Sequence, residues 1–262
     1  MSFGDYRHLL ISVGLTLLMV GATWIGMHLR LRLPVHHRDR DTAQVLNAIF
    51  TMLVTFTAIV LGLLITAKKS EFETTGHSVQ LFASRLIELD RLFRQRGPVA
   101  QPAHGMLRDY LQLSIDSAHH RPPTPRENPR SGFGGIAEGA LFDKIERDVR
   151  AWPSPDATAL RLQTDSLDLM RSLTDLRWQM IENTNGVADA PFFAVLVLWL
   201  VMMFVVFSLS ATRNALVFAT VFGAAVTIGA SLFLIFELQT PFDGLITISP
   251  RPIADALAYV ER

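Results

Sequence analysis

The sequence predicts an all-α, polytopic membrane protein with four transmembrane helices and a helical soluble insert between the second and third. Three observations carry this. Four apolar runs, Leu9–Leu29, Val45–Ala67, Pro191–Ser210 and Ala215–Phe236, are each long enough to cross about 30 Å of hydrocarbon at about 1.5 Å per residue. Between the second and third runs lies a polar stretch whose apolar residues recur at steps of three, four and seven, the spacing of helices. No segment sustains the alternation of apolar and polar residues that a half-buried strand would show.

Composition agrees. Apolar residues make up 50% of the 262-residue chain and the mean hydropathy is positive, which suits a membrane protein with a polar insert better than a soluble domain. The formal charge is zero, without the basic excess of a nucleic-acid binder. There is no cysteine, which removes disulfides, CxxC redox chemistry and cysteine-based zinc sites. The expected organisation is a first helix pair over 1–67 (spans about 9–29 and 45–67), an insert over 68–190, a second pair over 191–236, and an interfacial turn with a C-terminal helix over 237–262.

The first run reads as an uncleaved span. It is longer than a signal-peptide core, and Met27-His28-Leu29-Arg30 is not a small-residue cleavage site; a signal anchor is the alternative. The basic loop Arg30–Asp41 contains His36 and His37, but no third ligand follows at a metal-site spacing, so it reads as a solvated loop. Asp41 or Thr42 is a candidate cap for the next helix.

The second run carries small and polar residues at regular steps. Asn47, Thr51, Thr55, Ala58, Gly62 and Thr66 share one helical face. Such a face permits two readings: close helix packing with hydroxyls bonded to carbonyls, or the lining of a water-filled path. Beyond Lys68-Lys69, the stripe Phe72, Val79, Phe82, Leu86, Leu89 and Phe93 continues the helical period, so the second span is expected to run on as one rod to about Arg96. Glu71, Glu73, Arg85, Glu88, Asp90, Arg91 and Arg94 read as its solvated surface.

Further helices are expected at His104–His120, Ile136–Ala151 and Asp156–Asn183. The last has its own seam, Leu162, Leu169, Leu173, Leu176 and Met180, matching that of the rod, and the two should pack into a small bundle. Arg121–Gly135 is a Pro- and Gly-rich loop. Its Gly132-Phe133-Gly134-Gly135 lacks the Gly-Lys-Ser/Thr ending of a phosphate loop. The histidines at 77, 104, 119 and 120 have no partner pattern, and neither a Gly-x-Ser-x-Gly elbow nor a His-Glu-x-x-His pair is present, so no enzyme is expected. No cofactor or metal is expected either.

The third and fourth runs are nearly uniformly apolar, which suits a lipid-facing outer layer. The fourth ends at Glu237. A carboxylate there is costly unless it reaches water or a partner. Three readings fit: exposure at the interface, bonds from backbone NH groups of the turn at Gln239–Gly244, or a charge at a pore mouth. Pro241 and Gly244 fit a tight turn, and Ser249 before Pro250 can cap a final amphipathic helix.

The hinge Arg213-Asn214-Ala215-Leu216 and the tail Glu237-Leu238-Gln239-Thr240-Pro241-Phe242-Asp243-Gly244-Leu245-Ile246-Thr247-Ile248-Ser249-Pro250 resemble the bestrophin-like family of bacterial membrane proteins. The layout of two spans, helical insert and two spans extends this resemblance over nearly the whole chain. It marks Arg213, Asn214, Glu237, Pro241, Phe242, Gly244, Ser249 and Pro250 as a structural signature. It also implies a multi-pass protein of the bacterial inner membrane, in contact with the lipid bilayer and related to bestrophins, which are pentameric anion channels with the second span lining the pore. Carried over, Asn47, Thr51, Thr55 and Ala58 become the pore-lining candidates, anions the conducted species and a homo-oligomer, pentameric by resemblance, the working form.

The chain departs from the bestrophin pattern in two respects. It has no bulky apolar residues on the polar face, since Phe50 and Phe56 point elsewhere, and it has no acidic calcium clasp. Orientation is left open: the arginines of the short loops favour cytoplasmic loops by the positive-inside rule, whereas the resemblance implies a cytoplasmic insert. The alternative function is a non-conducting scaffold or signalling protein whose helical insert binds a partner, because the two heptad seams could pair between chains as well as within one.

Overall fold

A computed structural model describes residues 7–32, 40–119, 135–183, 189–210, 214–242 and 244–262. Among them are eight α-helices and no strand: α1 (Arg7–Arg32), α2 (Arg40–Arg96), α3 (Gln101–His119), α4 (Ile136–Arg150), α5 (Ala157–Asn183), α6 (Asp189–Ser210), α7 (Ala215–Leu238) and α8 (Arg251–Val260), with a 3-10 turn at Gly97–Ala100. Four helices are long and apolar enough to cross a membrane: α1, the first part of α2 from Asn47, α6 and α7. The chain divides into two compact units, Met1–Ser70 with Gly186–Gln239, and Glu71–Asn185 with Thr240–Arg262. The His36–His37 pair and most of the Arg121–Gly135 loop lie outside the described residues.

In the first unit, α1 packs on both α6 and α7. Its inward face consists of His8, Ser12, Met19, Ala22, Thr23 and Gly26, all buried. Lipid tails are as apolar as leucine, so helices in a membrane associate through close contact, and small residues permit it. Gly26 is such a residue: a Cβ there would lie 2.9 Å from the Val205 carbonyl oxygen and would strike Ser208 Oγ. At the crossing with α7, a Cβ on Gly229 would strike Thr16 Oγ1 and lie 3.6 Å from the Ser12 carbonyl. Two of the hydroxyls on α1 donate to their own helix, Thr16 to Ser12 O at 2.8 Å and Thr23 to Met19 O at 3.1 Å, so these two need no water. Leu196, Leu200, Met203 and Phe204 of α6 and Val221, Ala225, Leu232 and Ile235 of α7 complete this core. Spans three and four are thus not purely an outer layer. Each buries one side in this core and exposes another, with Leu198, Met202, Leu216 and Phe222 outside.

The expectation of one continuous rod is met by α2. It is described from Arg40, and the side chains of the cap candidates Asp41 and Thr42 lie outside the description. It stops because Gly97 takes a left-handed backbone (φ 77°) and Pro98 follows, the usual end of a helix. In the second unit its stripe Val79, Phe82, Leu86, Leu89 and Phe93 meets Leu107, Tyr110 and Leu111 of α3, Phe142, Ile145 and Val149 of α4, Leu169, Leu173, Leu176 and Met180 of α5, and Ile253, Ala256 and Val260 of α8 in one core. Fully burying each large side chain contributes about 1.5–3 kcal/mol. Both heptad seams are therefore consumed within the chain.

Caps fix the connections. Asp156 Oδ1 accepts from the Ala159 NH at 2.7 Å and starts α5. The Gln163 amide donates to the carbonyls of Val149, Arg150 and Trp152 at 2.9, 3.1 and 3.3 Å, closing the end of α4. Gly135 is the N-cap of α4, and a Cβ there would collide with the Glu138 carboxylate. That carboxylate, which also accepts from Ser117 Oγ, occupies the position at a helix N-terminus that an anion would take. The glycine run therefore ends in a helix cap.

One residue read as solvated surface, Asp90, and one read as lacking a partner, His104, are corrected. Asp90 is fully buried, and it accepts from Arg94 Nε at 2.7 Å. His104, which showed no partner pattern in the sequence, places Nε2 2.8 Å from Asp90 Oδ1, within hydrogen-bond range when that nitrogen carries a proton. Arg94 also donates to Val260 O at 2.8 Å, and Arg91 to the Tyr259 hydroxyl at 3.0 Å. These cations sit at the C-terminal end of α8, where the helix dipole favours positive charge.

Substituting Gly26→Ala should lower the thermal midpoint of the detergent-solubilised protein by the equivalent of about 1–3 kcal/mol, the usual cost of overpacking. The control is Gly14→Ala, which adds a Cβ with nothing within 4 Å and should leave the midpoint unchanged or raise it, since alanine suits a helix better than glycine. Equal shifts in the two variants would show that the α1–α6 approach is not limiting.

Candidate functional site: the uncovered polar face of α2

Among the four apolar helices α2 is the least covered: 11% of its most apolar stretch is buried, against 28% in each of the others. At about 100° per residue its residues sort into three faces roughly 120° apart. The first holds Phe50, Leu53, Thr57, Val60, Leu61 and Leu64, all buried or half-buried in the first unit. The second holds Val45, Ile49, Met52, Ile59 and Leu63, large, apolar and exposed. The third holds Asn47, Thr51, Thr55, Ala58, Gly62 and Thr66, polar or small and also exposed.

The first face is pinned to α6 by specific contacts. Trp199 Nε1 donates to Thr57 Oγ1 at 3.0 Å, and that hydroxyl donates in turn to Leu53 O at 2.7 Å. Phe50 packs on Phe207 with ring centroids 4.8 Å apart, and Phe56 on Trp199 at 5.0 Å. Thr57 escaped the sequence reading because it is one of several threonines in the span. Its burial and the Trp199 and Met203 groups facing it set it apart.

On the third face the hydroxyls of Thr51, Thr55 and Thr66 donate to the carbonyls of Asn47, Thr51 and Gly62, each at 2.9 Å. The ladder therefore presents oxygen lone pairs and methyl groups outward. The Asn47 carboxamide is the group on this face with N–H donors beyond the backbone. So the four candidates do share one uncovered face. It combines sites for water and weak coordination with no formal charge. No group of three metal-ligating side chains occurs among the described residues.

The signature residues have mainly architectural positions. Asn214 is the N-cap of α7, its side chain accepting from the Leu216 NH at 3.3 Å; Arg213 lies outside the described residues. In the tail, the Ile248 NH donates to Pro241 O at 2.7 Å and closes a loop. Gly244 within it has φ 122°, a backbone that favours glycine. Phe242 packs against the core of the second unit. Ser249 Oγ accepts from the Arg251 NH at 3.3 Å, while Pro250 holds the N-cap position of α8.

Glu237 is fully buried at the C-terminal end of α7, so the interface-exposed reading is corrected. The backbone NH of Gln239 closes the helix on the carbonyls of Ile235 and Phe236, both at 3.2 Å. Phe236 beside it stacks on His8 and on Phe193, with centroids 6.2 and 4.9 Å away.

An all-helical protein with four membrane-length helices, one of them polar along an uncovered side, defines a polytopic membrane protein. The family model described as a Bestrophin-like domain matches residues 17–253, and the chain belongs to that family. Among solved structures it is similar to a bacterial bestrophin homologue from Klebsiella pneumoniae carrying a point mutation. That likeness has 15% identity and a TM-score of 0.63, over 95% of this chain and 97% of the other. It is also similar to a structure described as a membrane protein, a point variant, at 16% identity and a TM-score of 0.60, over 95% of each chain. These likenesses establish the fold. No curated protein matches the chain.

Because removing a buried polar group disturbs whatever satisfies it, Glu237→Ala should destabilise the solubilised protein by about 1–3 kcal/mol while leaving ion preference unchanged. Thermal unfolding and reversal-potential measurements check this together. Unchanged stability with a shifted ion preference would place Glu237 at a pore mouth instead.

Proposed function

We propose that the protein is an oligomeric channel of the bacterial inner membrane that conducts anions, with Asn47, Thr51, Thr55 and Ala58 of α2 lining the path. The observation that carries this reading is the three-faced character of α2. One face is held by its own chain, one is apolar enough for lipid or a neighbouring helix, and the third is polar and uncovered. A polar face toward lipid would be unfavourable, whereas several copies around an axis would turn it toward water. The family supports pentameric assembly. In this arrangement residues 68–190 form the soluble insert, and 237–262 the interfacial turn and last helix.

The donors offered to an anion are the Asn47 amide and any hydroxyl that rotates off its carbonyl. With no fixed positive charge on the face, selectivity should be modest. A scaffold that joins chains through its heptad seams is less favoured, because both seams are buried in one core of the same chain.

Purified protein in planar bilayers tests the proposal. Thr51→Leu with Thr55→Leu should reduce the current by about tenfold or more, because apolar side chains at a constriction expel water. Oligomer mass should stay unchanged. Intact oligomers of the unsubstituted protein that pass no current at any voltage would refute conduction.

A further inference from the structure

The loop after α7 carries four large apolar residues, and the structure divides them into two pairs. Phe242 and Ile248 turn inward against the core of the second unit. Leu245 and Ile246, at the tip, are 60% and 38% exposed. Single exposed leucines are ordinary on a protein surface. Here, however, two adjacent ones stand at the tip of a loop with a defined shape. The Ile248 NH bond to Pro241 O closes its base, and Gly244 holds a backbone that most residues avoid. A floppy loop could fold such side chains away, but this one holds them out.

The tether limits where that tip can be. Leu245 lies seven residues beyond Leu238, the last residue of α7, so it stays within about 25 Å of the end of that membrane helix even if the chain were fully extended. The closed loop shortens this reach. The headgroup layers add roughly 5–8 Å on each side of the hydrocarbon. Exposed apolar groups beside a membrane helix gain by entering that layer, at about 25 cal/mol per Å² removed from water.

We propose that Leu245 and Ile246 insert into the bilayer interface and anchor the second unit to lipid. The inference requires membrane insertion of α7 and does not depend on whether α2 lines a pore. The anchor would fix the chain where it passes from α7 into the second unit, so that the tail is held at the membrane surface.

The absence of cysteine makes the test clean. Leu245→Cys and Ile246→Cys would each be labelled with a nitroxide in the full-length protein, reconstituted in phosphatidylcholine–phosphatidylglycerol vesicles. Relaxation by oxygen, which concentrates in lipid, would be compared with relaxation by a water-soluble nickel chelate. The expected result is oxygen exceeding nickel at both sites, and the reverse at Arg161→Cys, whose native side chain is 83% exposed on α5. Nickel access at 245 and 246 equal to that at 161 would put the tip in water. Labels immobile and shielded from both reagents would mean that protein, such as a second copy, covers the tip. Either outcome overturns the proposal.

Discussion

The first unit depends on how closely α1 approaches its neighbours. Gly26 brings α1 against the backbone of α6 at Val205, and Gly229 lets α7 come close to Ser12 and Thr16. In lipid no hydrophobic force distinguishes one apolar surface from another, so this contact is what assembles the helices. With α1 occupied by α6 and α7, α2 leans on α6 through contacts that include Thr57, Phe50 and Phe56. Its polar side is uncovered as a direct consequence, and the functional reading follows from that.

The second unit is built on different physics. Its five helices share an ordinary water-driven core, and their ends are closed by side chains such as Gln163 and Asp156. Inside it, Asp90 is a buried carboxylate held by Arg94 and placed beside His104. Because Arg94 also reaches the last carbonyls of α8, the C-terminal helix is tied to the same group that joins α2 to α3. A single helix, α2, contributes the uncovered polar face to one unit and a principal seam to the other.

Much of this was legible in the sequence because periodicity records burial. The spans, the unbroken run of α2 to Arg96 and the two seams followed from spacing alone, and the polar face of α2 was visible as a three- and four-residue recurrence. What spacing could not supply was pairing in space. Asp90 looks like any charge on a heptad surface until His104 and Arg94 are placed around it. Thr57 lies on a different face from Thr55, and the Trp199 and Met203 groups that it meets there come from a distant part of the chain. Glu237 invited an exposed reading because the sequence shows where an apolar run ends but not that the carboxylate there is buried. The tail turn at Pro241 and Gly244 was readable, since proline and glycine state their backbone requirements directly.

The central claim is that the Asn47–Ala58 face of α2 surrounds a water-filled axis. An electron-microscopy reconstruction of the purified particle in lipid nanodiscs tests it most directly. The account predicts a rotationally symmetric oligomer with a central opening and Thr51 and Thr55 of every copy facing it. A monomer, or an oligomer in which that face is packed against another helix or turned toward lipid, would contradict it.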